Sequence, residues 1–514
     1  MTLLAVLHFP LLSSLVILPI IFAIGVALIP KDQVIVIKAL AGVASLIELF
    51  LGLMLLLIFK TNHGGFQFVS LHSWISSFGI SWYLGVDGIS LFLVLLSIIL
   101  FPIAILAPRS SREPKSFMAW MLVLEGASIG SFLSLDLFLF FAFFELTLVP
   151  TYFIISGWGH QKRNYASYKF FLYTFLGSAF LLVGILALVV LHQSATGVLT
   201  FNLLKLASRQ TFTTTTGIFL FLAFTIAFAI KTPIVPFHTW SPDAYGEAPA
   251  GGSLILAGIL AKLGTYGMIR FDLTLFPTAS IKLAPILATL GVIGIIYGAL
   301  VASAQKDLKR LIAYSSVAHL GFIVLGIFAF SAISVSGGVL QMVNHGIITA
   351  GLFLLIAMIY ERRGTHLIED LKGLQKPAPV LAAIFTLVMF SAFAVPGLNG
   401  FTGEFLILLG AFPTMGIWVV FATAGVILAA LYMLWAYQRT FHGPAEGANA
   451  HIFDLNTKER LLMVPFVILI VFIGVFPQPL LSRIDPSVRQ LVHHVEQHMT
   501  KTSPSQLASA KAGK

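Results

Sequence analysis

Three charged side chains interrupt long apolar stretches of this sequence. Glu145 follows a phenylalanine-rich run, Lys231 stands two residues before Pro233 at the end of another run, and Lys262 lies in the middle of a third. A charged side chain costs about 2.5–3.5 kcal/mol at the centre of a bilayer, so such residues mark routes for ions or protons. The pattern predicts proton-transfer chemistry at membrane depth.

Glu145 and Lys231 have the opposite charges that a proton switch needs. An isolated lysine in a low-dielectric interior favours its neutral form, whereas a nearby carboxylate restores the charged form. We therefore predict that Glu145 is the partner of Lys231, and that Lys231 releases its proton when the carboxylate is drawn toward another cation. The alternative is a static buried ion pair that only fixes helix packing.

The second half of the chain supplies His319, His345 and Glu404, again within apolar stretches. Histidine titrates near neutral pH and can pass a proton in either direction. Together with Lys262 these residues predict a relay, although each histidine alone could be a hydrogen-bonded core residue. His238 is a further candidate, with the alternative that it only bonds carbonyl groups freed by the adjacent prolines.

The composition indicates the kind of domain that must hold these residues. The 514 residues are 58% hydrophobic and 10% charged, with a mean hydropathy of +0.98, so lipid surrounds most of the chain. The basic residues behind the net charge of +10 are scattered between apolar runs, which favours membrane orientation over nucleic-acid binding. The first run, 3–29, lacks a basic leader and a cleavage site, and we expect it to be retained.

Apolar runs of spanning length predict an all-α polytopic membrane protein with about fourteen transmembrane helices. The segment 60–83 is too polar to span and is expected to lie along the membrane interface. The predicted helices cover 3–29, 34–59, 85–107, 117–134, 136–157, 167–192, 216–240, 250–272, 281–302, 308–330, 333–360, 378–410, 414–438 and 461–481.

The basic residues orient this bundle, because cytoplasmic loops carry the excess of lysine and arginine. Most of them fall in the odd-numbered loops, among them Lys31, Arg109, Arg112, Lys162, Lys306, Arg362 and Arg439. The even-numbered loops offer only Lys60, Lys205, Arg209, Arg270 and Lys282. Both termini are therefore expected on the non-cytoplasmic side of the membrane.

Helices 4–8 and 9–13 occupy stretches of similar length and suggest an internal repeat. The fourth helix of each stretch is interrupted, at 231–236 and at 395–400. Five helices is an odd number, so the two units would be inverted, and matching broken helices in inverted halves point to ion sites. Two unrelated proline kinks are the alternative. The predicted units are 1–116, 117–272, 273–440 and 441–514.

Several chemistries have no residues to support them in this sequence. There is no cysteine, so the chain cannot supply the thiolates of an iron–sulfur cluster. We find no phosphate-binding loop, dinucleotide fingerprint or metal-ligand spacing. Asp243 and Glu247 could guard a cytoplasmic entrance, but the capping of helix ends explains them equally well.

The residues that carry chemistry lie in motifs that resemble the proton-translocating, antiporter-like subunits of respiratory complex I. The resemblance effectively covers the whole chain. Its motifs are Leu84-Gly-Val-Asp-Gly-Ile-Ser-Leu91, Glu145-Leu-Thr-Leu-Val-Pro150, Lys231-Thr-Pro-Ile-Val-Pro-Phe-His-Thr-Trp-Ser-Pro-Asp-Ala244, Glu247-Ala-Pro-Ala-Gly-Gly-Ser253 and Leu256-Ala-Gly-Ile-Leu-Ala-Lys262.

The resemblance implies fourteen helices, two inverted repeats and a proton route through Glu145, Lys231, Lys262 and Glu404. A glutamate at the last position is typical of the NuoM/NdhD type, whereas the NuoL and NuoN types carry lysine. The short segment after helix 14 agrees with this type. It further implies NuoL-like and NuoN-like neighbours in a bacterial plasma membrane or an equivalent membrane, with NADH, FMN, iron–sulfur clusters and quinone bound by other subunits.

The expected function is therefore proton translocation as a subunit of an NADH:quinone oxidoreductase. An Mrp-type sodium/proton antiporter subunit and the membrane arm of a membrane-bound hydrogenase are the alternatives, since they share the same module. An inert membrane scaffold is the structural alternative, and it would tolerate neutral substitutions at the four charged positions. The residues leave open the electron donor, NADH or ferredoxin, and the exit path of the proton.

Overall fold

The computed structural model describes residues 10–107 and 113–502. The start of the predicted helix 3–29 lies outside the described residues, as do Arg109 and Arg112 of the third loop. Over the described ranges the chain is an all-helical membrane bundle with one β-hairpin, which confirms the predicted fold class.

The N-terminal part contains three long helices and the hairpin. They are α1 (Leu11–Leu28), α2 (Val34–Ile58), β1 (Gln67–Ile75), β2 (Ile80–Val86) and α3 (Gly88–Leu106). The two strands are antiparallel, with Leu71 opposite Tyr83. The prediction for 60–83 gave a polar segment and no strand, and the alternation of apolar and polar residues that is typical of strands holds in β1 only over 69–72.

The next part carries Glu145, Lys231 and Lys262. Its helices are α4 (Pro114–Leu133), α5 (Leu137–Leu146), α6 (Leu148–Trp158), α7 (Arg163–Thr196), α8 (Leu203–Ser208), α9 (Thr214–Lys231) and α10 (Trp240–Glu247), followed by α11 (Ala250–Ile255), α12 (Ala261–Gly267) and α13 (Leu273–Leu275). Two wider π-helical turns, Leu256–Leu260 and Met268–Asp272, join α11, α12 and α13 into one span, Ala250–Leu275, whose apolar window is entirely buried.

The second half carries His319, His345 and Glu404. Its helices are α14 (Pro277–Ser303), α15 (Leu308–Phe328), α16 (Ala332–Arg363), α17 (Pro379–Ala392), α18 (Asn399–Phe441), α19 (Thr457–Val475) and α20 (Gln478–Thr502). Helices α15 and α16 are almost completely enclosed, whereas α18 exposes much of its apolar surface. The most deeply buried helices of the bundle are therefore the span that carries Lys262 and the helices α15 and α16.

By length and composition the described residues contain twelve helices that could cross a membrane, or thirteen if the bent pair α19–α20 is one span. Helix α17, with fourteen residues, is too short to span alone. Helix α18 has 43 residues and holds the predicted segment 414–438 together with the end of 378–410, joined through a kink at Met415, close to Pro413. The count of fourteen and the inverted repeats stay predictions, although the chain is broken at both predicted interruptions.

Two local features differ from the sequence interpretation. The residues after the last predicted helix form α20, which turns by 69° from α19 and buries an apolar face that includes Ile484, Val488 and Val495. Arg270, predicted to belong to an even-numbered loop, lies in the second π-helical turn and forms a buried ion pair with Asp87 at 2.6 Å.

Candidate functional site

Lys262 is fully buried at the start of α12, directly after the first π-helical turn. Such a turn widens the helix and is frequent at functional sites. The Nζ atom of Lys262 donates to the carbonyl of Ala257, which lies within this π-helical turn. The irregular backbone thus supplies a hydrogen-bond acceptor that holds the ammonium group inside the bundle.

Four of the predicted residues form one buried line across α12, α15, α16 and α18. Lys262 Nζ lies 2.7 Å from His345 Nδ1, and the rings of His345 and His319 are 5.8 Å apart. His319 Nδ1 lies 2.7 Å from Glu404 Oε1. Each of the four residues is at most 5% exposed, so the structure brings the predicted relay residues together.

Each histidine ring of the line has one nitrogen in a hydrogen bond and one nitrogen without a described partner. When Lys262 donates to His345 and His319 donates to Glu404, both bonds use the Nδ1 atoms. Both Nε2 atoms are buried and have no hydrogen-bond partner among the described residues. No described hydrogen bond joins the two rings, so a proton that passes between them would require a bridging water. The arrangement can move a proton from Lys262 to Glu404.

Lys231 ends α9 at the first break and is 3% exposed. Its Nζ atom donates to the hydroxyl of Thr147 at 2.9 Å and lies 4.7 Å from the centre of the Phe144 ring. Thr147 lies between α5 and α6, where its own hydroxyl donates to the carbonyl of Phe144. A neutral hydroxyl and an aromatic face therefore make the closest contacts of this cation.

Glu145 is half-buried, two residues before Thr147, and one of its carboxylate oxygens is buried without a hydrogen-bond partner in the described part of the chain. It attracts Lys231 electrostatically, but among the described ion pairs there is none between Glu145 and Lys231. The structure thus places the two residues near each other with Thr147 as the direct partner of the lysine.

The two lysines belong to helices that touch. A side-chain carbon at Gly264 would lie 2.2 Å from the Thr232 hydroxyl and 2.5 Å from the carbonyl of Phe228, so only glycine permits this crossing. Thr232 follows Lys231, and Gly264 follows Lys262 by two residues. The contact between α9 and α12 thus brings the neighbourhoods of the two lysines together, although no described hydrogen bond joins the lysines themselves.

His238 is not brought into the line. It lies on a single 3₁₀ turn, Phe237–Thr239, after the first break, and its ring packs edge-on against Tyr297 at 5.0 Å. Its ring contacts Tyr297 on α14 and bonds the backbone of Pro236, as the alternative interpretation of this residue expected, and no described contact joins it to Lys231 or Lys262.

Sequence reasoning missed two polar partners of the site, Thr147 and Gln341. Gln341 Nε2 donates to Glu404 Oε1 at 3.1 Å, so this oxygen contacts both Gln341 and His319. Gln341 stands one helical turn before His345, and a polar residue at that spacing is the signal that could have found it. Thr147 offers a weaker signal, since hydroxyl residues are common in such helices and usually bond their own backbone.

Two buried carboxylates outside the line were also missed. Glu48 on α2 and Glu125 on α4 are at most 1% exposed, and none of their four oxygens has a hydrogen-bond partner among the described residues. Each interrupts an apolar stretch, which was the signal used for Glu145.

A cavity of about 700 Å³ lies beside the start of the span that carries Lys262. Its lining includes His160, His366, Tyr360 and Lys309, with Pro249 at the beginning of that span. Burial and the charge of Lys309 lower the pKa of His160 to about 4 and that of His366 to about 3. Both histidines are therefore neutral near pH 7 and can accept hydrogen bonds in this cavity.

Asp243 and Glu247 have structural partners near this cavity. Asp243 lies 2.8 Å from Lys169 and 3.2 Å from Arg310. Glu247 accepts the backbone N–H of Lys162 at 2.8 Å. These contacts tie α10 to the neighbouring loops and helices, whereas no described side-chain bond caps the start of α10.

Comparison with known proteins gives the family. A family model described as "NADH:quinone oxidoreductase/Mrp antiporter, TM" matches residues 134–431, which hold Glu145, Lys231, Lys262 and Glu404. The chain belongs to this antiporter family. The resemblance of the motifs is thereby confirmed.

Individual relatives match over nearly the full length. NADH-ubiquinone oxidoreductase chain 4 of Arabidopsis thaliana is 40% identical over 491 residues, covering 95% of this chain and 98% of the relative. NADH-quinone oxidoreductase subunit M of Rhodobacter capsulatus is 40% identical, with 93% of each chain covered. A chain of respiratory complex I from Thermus thermophilus superposes with a TM-score of 0.85 at 31% identity, covering 94% of this chain and 99% of that one.

Proposed function

We propose that this chain is a proton-translocating membrane subunit of an NADH:quinone oxidoreductase. The observation that carries the proposal is the buried line from Lys262 through His345 and His319 to Glu404. The full-length similarity to proteins named as subunit M or chain 4 of such oxidoreductases supports the assignment.

In the proposed relay the proton moves by exchange of hydrogen-bond partners. Lys262 gives a proton to Nδ1 of His345, which releases its own Nε2 proton toward Nε2 of His319. His319 then passes its Nδ1 proton to Glu404, and each histidine returns to neutral in the other tautomer. A histidine can do this because its two nitrogens accept and donate on opposite sides of the ring.

Glu145, Lys231 and Thr147 would control when Lys262 releases its proton. When Lys231 is held by Thr147, its charge is close to α12 and disfavours a second cation on Lys262. When Lys231 swings to Glu145, that repulsion weakens and Lys262 can be protonated again. The switch therefore needs both a carboxylate and a competing neutral partner for one lysine.

The cavity beside His160 and His366 is the candidate entrance for the proton. It adjoins Pro249, where the span of Lys262 begins, and it lies among the odd-numbered loops. The excess of basic residues in those loops supports a cytoplasmic position for this face, with both termini on the other side.

Oxidation and reduction would take place on other subunits. The sequence contains no cysteine, and within the described ranges no group of three His, Asp or Glu side chains could hold a metal ion. We propose that NuoL-like and NuoN-like chains flank this subunit in a bacterial plasma membrane or an equivalent membrane. NADH, FMN, iron–sulfur clusters and quinone would bind to partner chains.

Substitutions at the switch test the proposal. Lys231→Ala and Glu145→Gln should abolish proton transfer through this chain, whereas the complex still assembles and oxidises NADH. Proton uptake into inside-out vesicles and NADH oxidation would be measured on the same sample, with and without sodium. Normal proton uptake in both variants, or uptake that requires sodium, would defeat the proposal, the second result in favour of a sodium/proton antiporter.

A further inference from the structure

A second cavity, of about 880 Å³, opens where α14 and α18 end, on the face of the odd-numbered loops. Lys306, Lys372 and Arg439 line it, together with Trp435 and one acid, Glu369. We propose that this basic cavity binds the phosphate head group of an anionic phospholipid, whose acyl chains lie on the exposed faces of α14 and α18.

The charges of the basic cavity are unbalanced. Lys306, Lys372 and Arg439 are exposed, and none of them belongs to a described ion pair, even though Glu369 shares the lining. Three cations against one carboxylate leave a net positive site that is complementary to a phosphodiester. Basic pockets between membrane helices on the cytoplasmic side bind anionic lipid head groups by this chemistry.

The walls of the cavity are held in place by the backbone. The N–H of Ile368 donates to the carbonyl of Lys306 at 2.9 Å, and the N–H of Gly373 donates to the carbonyl of His442 at 3.1 Å. The stem of Lys372 crosses Gly443, where an added side-chain carbon would lie 3.2 Å from Lys372 Cε. Three separate loops are thus joined around the cations before any ligand arrives.

Arg439 is positioned by the aromatic ring of Trp435, which also lines the basic cavity. Its guanidinium carbon lies 4.4 Å from the centre of the Trp435 ring, which is a cation–π contact. Tryptophan is enriched at the depth of the lipid head groups because its ring is apolar and its N–H is polar. Trp435 therefore indicates that the cavity lies at the membrane interface.

The surface next to the cavity is apolar and uncovered. Leu300 on α14 is 53% exposed, and Leu431 and Leu434 on α18 are 60% and 45% exposed. Leu431 lies one helical turn before Trp435, so the apolar surface begins directly beneath the cations. A free phosphate would make no use of this surface, whereas the acyl chains of a phospholipid cover it.

A charge-neutralised variant tests the lipid site. Lys306→Gln, Lys372→Gln and Arg439→Gln would be combined in the full complex and compared with the matched triple variant Lys31→Gln, Lys162→Gln and Lys376→Gln. The control removes three exposed charges from other odd-loop positions that do not line the cavity. Both complexes would be placed in phosphatidylcholine nanodiscs that contain a little phosphatidylglycerol with a photoactivatable acyl chain.

The readout is the position and amount of cross-linked lipid, determined by peptide mass spectrometry. We expect labelling around Leu431 and Leu434 in the wild type and the control. Binding should weaken about fivefold for each cation removed and roughly 100-fold in the cavity variant. Equal labelling in the cavity variant, or equal labelling by a phosphatidylcholine probe, overturns the proposal. If the cavity variant loses a neighbouring subunit while its lipid labelling stays unchanged, the proposal is also overturned. The cavity is then identified as an interface with that subunit.

Discussion

His319 Nδ1 and Glu404 Oε1 lie 2.7 Å apart, although the residues are 85 positions apart in the chain. The contact exists only because α15, which carries the histidine, packs beside α18, which begins after the second break. It joins a buried imidazole to a buried carboxylate, and it would form the last step of the proposed relay.

Removing the titratable ring from this contact should stop the relay. His319→Asn keeps an amide N–H near the position of Nδ1 but cannot take up and release a proton. We expect proton transfer through this chain to fall about 100-fold, the usual scale for loss of an acid–base group. Proton uptake per NADH oxidised would be measured in vesicles. The exposed residue His451 provides the control His451→Asn, and equal uptake in both variants would rule out His319 as a relay residue.

A permanently charged group at position 262 should have a similar effect. Lys262→Arg preserves the cation, but a guanidinium group is not deprotonated in proteins. The complex should assemble, whereas proton transfer through this chain should fall at least tenfold or so because the first donor cannot release its proton. Lys205 is exposed on α8, so Lys205→Arg should leave the same assay unchanged. Wild-type uptake with Lys262→Arg contradicts the relay.

Thr147 distinguishes a switch from a static ion pair. Thr147→Val keeps the side-chain shape and removes the hydroxyl that accepts from Lys231. Lys231 should then remain with Glu145, and proton transfer should slow about tenfold, since a hydrogen bond to a charged group is worth about 1.5–3 kcal/mol. Thr151, whose hydroxyl has its described hydrogen bond with the carbonyl of Thr147, gives the control Thr151→Val. A normal rate with Thr147→Val would show that Lys231 and Glu145 do not exchange partners.

The histidines of the candidate entrance should make the complex sensitive to acid. The pKa of His160 is about 4 and that of His366 about 3, below the value of about 6.5 of an unfolded histidine. Because the unfolded state binds protons first, stability should fall as the pH drops from about 6.5 toward 4. The double variant His160→Gln/His366→Gln should therefore lose less of its thermal midpoint than the wild type over this range. If the thermal midpoints of the double variant and the wild type fall by the same amount, the burial assigned to His160 and His366 is contradicted.

The sequence was sufficient to single out the residues of the buried line, because ionisable groups are costly in apolar helices and stand out. Lys262, His319, His345 and Glu404 were each found by this rule, and the structure lines them up. Their order in space was not predictable in detail. It depends on how four helices pack and on a π-helical turn that leaves no mark in the hydrophobic pattern.

Other features escaped for different physical reasons. The β1–β2 hairpin was not predicted because the segment was assigned from its polarity alone. Polarity indicates that a segment does not span the membrane, but it does not indicate a secondary structure. Helix α20 was missed because its apolar residues cover one face only, and the search was for continuous apolar runs. Thr147 was missed because the search considered only ionisable side chains and a threonine hydroxyl is not ionised. The structure shows that this hydroxyl is the hydrogen-bond partner of Lys231.

Glu404 is the residue at which the relay can be tested on its own. Glu404→Gln preserves the size of the side chain and its contact with Gln341, but an amide cannot accept a proton. Protons taken up per NADH oxidised would be compared between Glu404→Gln and the wild type in vesicles with equal amounts of assembled complex. We predict a lower ratio in the variant while NADH oxidation persists. An unchanged ratio would contradict a proton route that passes from Lys262 to Glu404.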